Sequence, residues 1–197
     1  MIFGNVPIKP EEIVDFLKER VEKKATDYMK QDAIPEIPAW TKAVKDTLAE
    51  LAYKYGGRPL STKSQIPRTP RVREFLLDFV WWENEGTGTS GRAIMGVECE
   101  WASWYKNNEA RANEVAYDFE KLLSFKAPLK LLIFECVDQE GRRLLHKRLC
   151  DYLSTFSQHV KGECYLFVEF SRGQCYADTY EVKQDGAVSN VELERLP

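Results

Sequence analysis

The sequence predicts an α/β protein in which a mixed central β-sheet is flanked by helices. Strongly apolar, strand-like runs alternate with segments whose apolar residues recur at helical spacing. The first two apolar runs are joined by a short polar link, as in an antiparallel hairpin. The later runs are separated by helical segments long enough to cross between parallel neighbours. Both kinds of strand pairing are therefore expected in one sheet.

The N-terminal part of the chain is predicted to be helical. Apolar residues at helical spacing over about 10–29 predict an amphipathic helix. Two prolines then interrupt the chain, and a second apolar stripe begins near Thr41 and stops at Gly56-Gly57. We interpret residues 1–40 as an extra helical extension packed on a core formed by residues 41–182.

The next two strands are predicted to form a hairpin. The basic, proline-containing stretch Arg58–Arg73 is expected to be a loop or irregular strand. The hairpin strands cover about Arg73–Trp82 and Arg92–Trp101, with a link rich in Gly and Thr between them. This link lacks the Gly-Lys-Ser/Thr ending of a phosphate-binding loop, and it leads into a strand instead of a helix. We therefore interpret it as a hairpin loop.

Helices and strands are predicted to alternate over the rest of the chain. Helical apolar stripes and short apolar runs follow one another, with Pro128 and Gly162 marking two of the boundaries. The predicted elements are a helix over about 108–125, a strand over 130–137, a helix over 139–159, a strand over 163–170 and a last strand over 174–182.

Composition limits the class of protein. A chain of 197 residues with 44% hydrophobic content can bury one substantial core, which favours a single domain over residues 1–197. With 28 basic and 31 acidic residues it lacks the basic excess of many nucleic-acid binders, so phosphate contacts must come from local patches. No apolar run could span a bilayer, so no membrane partner is expected. Five cysteines without a Cys-x-x-Cys pair favour a reducing, cytoplasmic location.

Three carboxylates on the two hairpin strands point to a function. Asp78 lies in the first strand, and Glu98 and Glu100 lie in the second. Because side chains alternate along a strand, the two glutamates share a face, and the hairpin brings Asp78 within reach of Glu98. Charges in such apolar segments lose hydration unless they are paired, protonated or bound to a cation. The three acids therefore predict a divalent metal site.

The order of these elements resembles that of the PD-(D/E)XK nuclease superfamily. A helix, a hairpin bearing Asp and then Glu-x-Glu, a helix and a strand follow one another over roughly 41–170. The resemblance implies a restriction-endonuclease-like fold and metal-dependent hydrolysis of phosphodiester bonds in nucleic acid. It also implies that Asp78 and Glu98 hold Mg²⁺ or Mn²⁺. Such hard cations prefer oxygen ligands, and they lower the pKa of water.

The sequence departs from the family's motif at one position. The family has a lysine where this chain has Glu100. Some members are similar in carrying an acid there and placing the lysine on the following helix, and Asp118-Phe-Glu-Lys-Leu-Leu123 looks like that variant. The resemblance then makes Lys121 the catalytic lysine and Glu100 an auxiliary ligand or a base that positions water. Helical spacing puts Lys121 away from the buried stripe, so its side chain must bend inward to reach the acids.

Basic and aromatic residues near the acids are candidate contacts for nucleic acid. The expected nucleic acid is DNA, and the sequence leaves a homodimer open. Aromatic residues just after the second hairpin strand could stack on splayed bases or cap the core. The aromatic candidates are Trp101, Trp104 and Tyr105. The basic candidates are Arg68, Arg71, Arg73, Lys106 and Arg111.

Each part of this interpretation has a simpler alternative. Asp78 could be satisfied by backbone amides, and the two glutamates could line a solvated edge or pair with Arg92 or Arg111. Lys121 could be an ordinary surface lysine. Glu50 on the second helix could be an accessory acid or an exposed glutamate.

Two other functions stay open on the sequence alone. One is a catalytically inactive member of the same fold that binds nucleic acid or protein. The other is a small-molecule enzyme that uses the carboxylates as general acid and base, which requires a pocket beside Asp78.

Overall fold

Four helices and a seven-stranded sheet make up the part of the chain that a computed structural model describes, residues 7–61, 77–83, 91–101, 107–171 and 173–191. The helices are α1 (Pro10–Gln31), α2 (Glu36–Lys54), α3 (Asn108–Ser124) and α4 (Gln139–Thr155). The strands are β1 (Arg58–Ser61), β2 (Phe79–Trp82), β3 (Ala93–Glu100), β4 (Leu129–Glu135), β5 (Cys164–Ser171), β6 (Gln174–Val182) and β7 (Val188–Val191).

The sheet is mixed, and its strands lie in sequence order from β1 to β7. Strands β3, β4 and β5 are parallel, whereas the other neighbours are antiparallel. The parallel pairs are connected through α3 and α4, because parallel neighbours need a crossover of about a dozen residues or more. The predicted α/β class with a mixed sheet and flanking helices is confirmed.

Apolar side chains on both faces of the sheet pack against helices. Leu17 of α1 and Leu48 of α2 belong to one buried cluster with Val97 of β3. Phe119 of α3 and Leu132 of β4 belong to a second cluster on the opposite face. Because successive side chains of a strand alternate between faces, the central strands contribute to both clusters. Burial on both faces accounts for the continuous apolar runs in the sequence.

Helix α2 begins earlier than its apolar stripe predicts. It starts at Glu36 instead of near Thr41 and includes Pro38 in its first turn. A proline is tolerated there because the first N–H groups of a helix have no intrahelical acceptor. The predicted boundary between residues 40 and 41 therefore falls inside α2.

Short strands at the two edges of the sheet were the least predictable elements. Strand β1 falls in the stretch expected to be a loop or irregular strand, and β7 follows the strand expected to be last. Each has four residues, which is too few for alternation to identify reliably. Of the first predicted hairpin strand, residues 79–82 form β2, and residues 73–76 lie outside the described residues. The elements predicted after residue 107 are found within a few residues of their expected ends.

Two findings concern the compositional expectations. Across the described ranges, no helix combines the length and apolar character needed to cross a membrane. All five cysteines are free thiols.

The tightest backbone approach to the core is at Gly57, in the turn between α2 and β1. A Cβ atom added there would lie 1.7 Å from Nε1 of Trp81, which is fully buried in β2. The neighbouring Gly56 has a φ of +72° and nothing within 4 Å of an added Cβ. Gly56 therefore serves the turn, whereas Gly57 makes room for the Trp81 ring.

We expect Gly57→Ala to lower the free energy of unfolding by roughly 1–3 kcal/mol, because the enclosed ring has no room to move aside. Trp81→Phe alone should also destabilise the protein by leaving a cavity. In the double variant the smaller ring leaves space for the methyl group, so the combined loss should be smaller than the sum of the two. Urea unfolding of the three variants measures this coupling, and strictly additive losses would contradict the proposed clash.

Candidate functional site

Asp78 and Glu98 lie side by side at one end of the β2–β3 hairpin. The strand register pairs Phe79 with Val97, so the residue before Phe79 lies opposite the residue after Val97. The backbone N–H of Cys99 donates a hydrogen bond to Oδ2 of Asp78 at 3.1 Å. This bond ties the Asp78 carboxylate to β3. The structure thus brings the two predicted acids together and also gives Asp78 a backbone amide donor.

The two carboxylates differ in burial. The side chain of Glu98 is 3% exposed, and that of Asp78 is 26% exposed. Burial raises the pKa of Glu98 to about 8; the hydrogen bond from Lys121 opposes this rise, and the negative charges of Asp78 and Asp118 add to it. A solvated-edge position for Glu98 is therefore wrong. A carboxyl group with this pKa exchanges protons close to neutral pH.

Lys121 reaches the acids from α3. Its Nζ lies 2.9 Å from Oε1 of Glu98 and 2.7 Å from Oδ1 of Asp118. The side chain bends inward and is 27% exposed, so the alternative of an ordinary surface lysine is wrong. Burial by itself would lower the pKa of Lys121, but the bonds to Asp118 and Glu98 outweigh it and raise the pKa above its usual value.

A second lysine, which the sequence did not single out, reaches the acids from the opposite side of the sheet. Nζ of Lys45 in α2 lies 2.6 Å from Oδ1 of Asp78, and the Lys45 side chain is 3% exposed. Its neighbours Val44 and Leu48 are part of the core that covers the other face. A lysine beside an apolar stripe usually extends its charge to solvent. Helical spacing alone therefore gave no reason to place Lys45 at the site.

These groups form what we call the acid–lysine cluster, which consists of Asp78, Glu98, Asp118, Lys45 and Lys121. Each carboxylate has an ammonium nitrogen within 3 Å. Buried charges are tolerated only when partners of this kind offset their lost hydration. When all groups are ionised, three carboxylates face two ammonium groups, which leaves one negative charge in excess.

The donor chemistry of the cluster fits a hard divalent cation. Asp78 and Glu98 supply oxygen donors from neighbouring segments, and Mg²⁺ is commonly held by one or two carboxylates together with water and substrate phosphate. Within the described ranges, no group of three or more His, Cys, Asp or Glu side chains is arranged to hold a metal ion. A cation at Asp78 and Glu98 would therefore need ligands from water or substrate.

The other predicted site residues lie around the cluster or beyond the described part of the chain. Glu100 is half-buried on the same face as Glu98, opposite Phe134 of β4. Arg111 is buried near the start of α3. Outside the described residues lie Arg68, Arg71, Arg73 and Lys106, together with the aromatic candidates Trp104 and Tyr105.

Trp101 caps the core at the end of β3. It is buried, and its Nε1 donates a hydrogen bond to Oγ1 of Thr41 at 2.9 Å. Its ring packs near those of Trp40 and Phe170, with centroids 5.4 and 6.2 Å away. The core-capping alternative therefore describes Trp101 better than a stacking role.

Two other residues named from the sequence form ion pairs away from the cluster. Glu50 pairs with Lys24 at 2.5 Å and links α2 to α1, so it lies in an interhelical contact. Arg92 pairs with Glu83 at 3.0 Å, next to the link that joins the two hairpin strands.

A second ion-pair network joins α4 to β5 and β6. Arg142 contacts Oε1 of the buried Glu169 at 2.7 Å, and His146 stands between Glu169 and Asp178 at 3.6 and 3.4 Å. Burial would raise the pKa of Glu169, but its bonds to His146 and Arg142 hold it below the usual value. An open cavity of about 610 Å³ adjoins this network, and one of about 380 Å³ lies near Tyr180. Neither of these two cavities is lined by the described acids of the acid–lysine cluster, which gives no support to a small-molecule enzyme.

Comparison with known proteins adds no family assignment. No protein-family model, no curated protein and no solved structure matches the chain. Function is therefore inferred from the geometry of the acid–lysine cluster.

We expect the stability of the protein to depend on pH through Glu98. Its pKa of about 8 in the folded state lies above the ordinary value of 4.5, so the folded state binds more protons between these two values. The resulting stabilisation is fully present below about pH 4.5 and is lost as the pH rises through 8. In Glu98→Gln this loss should be absent, because an amide does not ionise.

Urea unfolding of both proteins in EDTA, near pH 5.5 and near pH 9, measures the effect. Between pH 5.5 and pH 9, the wild type should lose roughly 1–3 kcal/mol more of its free energy of unfolding than Glu98→Gln does. Glu114→Gln, at an exposed position of α3, is the matched control and should keep the wild-type dependence. Parallel pH profiles for the wild type and Glu98→Gln would contradict the assignment.

Proposed function

We propose that the protein is a metal-dependent nuclease that hydrolyses phosphodiester bonds, with DNA as its substrate. The ion pair of 2.9 Å between Nζ of Lys121 and Oε1 of Glu98 carries this proposal. Lys121 supplies, from α3, the positive charge that the motif lysine provides in the nuclease superfamily, where this chain has Glu100. An acid pair on a hairpin with a lysine beside it is the set of groups that this chemistry needs.

Asp78 and Glu98 are the residues that would hold the cation. Their carboxylates lie opposite each other, and Asp78 keeps a solvent-facing side. A bound Mg²⁺ or Mn²⁺ would polarise the scissile phosphate and make water a better nucleophile at neutral pH. The hydrogen bond from Cys99 orients the Asp78 carboxylate in advance.

Lys121 and Glu100 have the remaining proposed roles. Asp118 holds the partly exposed Lys121 ammonium next to Glu98, where it stabilises negative charge that develops on the phosphate oxygens. Glu100 lies further along the same face of β3 and serves as an auxiliary ligand or positions the attacking water.

The restriction-endonuclease-like fold belongs to the same proposal. Its support is the order of the elements, since the acids lie at the β2–β3 hairpin and the lysine lies in the β3–α3–β4 crossover. The free thiols agree with a cytoplasmic location. Contacts to substrate phosphates are proposed for Arg68, Arg71, Arg73 and Lys106, whereas the burial of Arg111 argues against such a contact.

One observation favours a second candidate function. Lys45 and Lys121 already place ammonium groups 2.6 and 2.9 Å from Asp78 and Glu98. The acid–lysine cluster therefore offsets most of its own charge without a cation. A catalytically inactive member of the same fold, binding nucleic acid or protein, would keep such a cluster for stability.

We expect the protein to cleave plasmid DNA or a single-stranded oligonucleotide in the presence of Mn²⁺ or Mg²⁺. Lys121→Met should lower the rate by about 10²–10³, because a preorganised charge beside the reacting group contributes about that much. A gel assay of initial rates measures this change.

Lys126→Met is the matched control, because it removes an exposed lysine just beyond α3 and should leave the rate unchanged. Equal rates for Lys121→Met and the wild type would contradict the role of Lys121. No cleavage of any of these substrates by the wild type would favour the inactive module.

A further inference from the structure

Asp78 has a buried side and a solvent side, and Lys45 lies on the buried side. The Lys45 side chain is 3% exposed and its ammonium is 2.6 Å from Oδ1, whereas Asp78 itself is 26% exposed. Oδ2 is held by the N–H of Cys99. A cation that arrives from solvent would therefore bind a carboxylate that already has an ammonium behind it.

Helix α2 keeps that ammonium in place. Oγ1 of Thr41, one turn before Lys45, accepts a hydrogen bond from Nε1 of the buried Trp101 at 2.9 Å. This contact ties the N-terminal half of α2 to the end of β3, next to the Asp78–Cys99 bond. Lys45 therefore differs from Lys121, whose side chain is 27% exposed.

The charges of the acid–lysine cluster are poorly matched to a free divalent cation. Even with all five groups ionised, the cluster has only one negative charge in excess, so it would become positive by one charge on binding Mg²⁺ or Mn²⁺. A cation on Asp78 would be repelled by the Lys45 ammonium, which contacts the same carboxylate. This repulsion is strong because buried charges are only weakly screened. A phosphodiester carries a single negative charge, so adding it with the cation would restore neutrality.

We propose that Lys45 is the resident counter-cation of the acid–lysine cluster and weakens binding of a free divalent cation, so that cation and phosphodiester bind together. This inference rests on the proposed nuclease function. Lys45 acts through Asp78, and it is therefore a positioning residue.

The test is a titration of the full-length protein with Mn²⁺, followed by the electron paramagnetic resonance signal of the free ion. It is done with and without a short phosphorothioate oligonucleotide, with the oligonucleotide alone and Asp78→Asn as references for unspecific binding. The wild type should bind Mn²⁺ about tenfold or more tightly with the oligonucleotide than without it. Lys45→Met should bind Mn²⁺ alone about tenfold more tightly than the wild type, and the oligonucleotide should add little further affinity.

Lys42→Met is the matched control. Lys42 lies on the same helix, is mostly buried, and pairs with Oδ2 of Asp46 at 2.8 Å. The substitution removes one buried ammonium without touching Asp78, so Mn²⁺ binding should stay at the wild-type value. Lys45→Gln tests the same loss of charge with a polar side chain, and thermal unfolding shows which variants are folded.

Two results would overturn the inference, and they are distinguishable. If the wild type binds Mn²⁺ equally well with and without the oligonucleotide, or Lys45→Met and Lys45→Gln bind it no more tightly than Lys42→Met, the role of Lys45 is refuted while the metal site stands. If no protein shows Mn²⁺ binding that depends on Asp78 under either condition, the proposed metal site is refuted and the inference fails with it.

Discussion

The burial of the Glu98 carboxylate is the constraint to which the rest of the site responds. Strand β3 lies between two apolar layers, so a charge on it loses most of its hydration. Isolation there would be strongly destabilising, and the fold supplies compensation by placing Lys121 against Glu98 and Lys45 against Asp78. The raised pKa of Glu98 shows that the compensation is incomplete. A buried acid that is only partly offset is typical of a site with a chemical task.

The sheet also sets where the compensating charges come from. Parallel pairing of β3 with β4 requires a crossover, and this crossover is α3, which carries Lys121 and Asp118 over one face. Helix α2 precedes the hairpin and covers the other face, and it carries Lys45. The acids lie at the end of the hairpin where a lysine from each of these helices contacts them. The same topology therefore explains the packing of the core and the composition of the acid–lysine cluster.

The sequence predicted those features that follow directly from the spacing of apolar residues. Helical and strand periodicity located the long elements, and alternation along the hairpin placed Asp78 next to Glu98. It did not predict features that depend on tertiary packing, such as the direction of a long side chain. Lys45 flanks an apolar stripe, and the direction in which such a side chain turns depends on a partner that is distant in the sequence. Lys121 was indicated by the family resemblance and not by its helical spacing. The short strands β1 and β7 form because the neighbouring strands β2 and β6 offer hydrogen bonds to them. A run of four residues does not reveal such a partner.

The two lysines of the cluster come from opposite faces of the sheet, and this has a consequence for folding. One lysine arrives with the helical layer on one face of the sheet, and the other arrives with the layer on the opposite face. A folding intermediate in which either layer has not docked lacks one of the two ammonium groups and leaves a carboxylate without its partner. The cluster is complete only when hairpin, crossover and N-terminal helices are all in place. The two lysines therefore lie beside the acids only in the fully folded protein. In a partly folded chain at least one carboxylate lacks its neighbouring ammonium group.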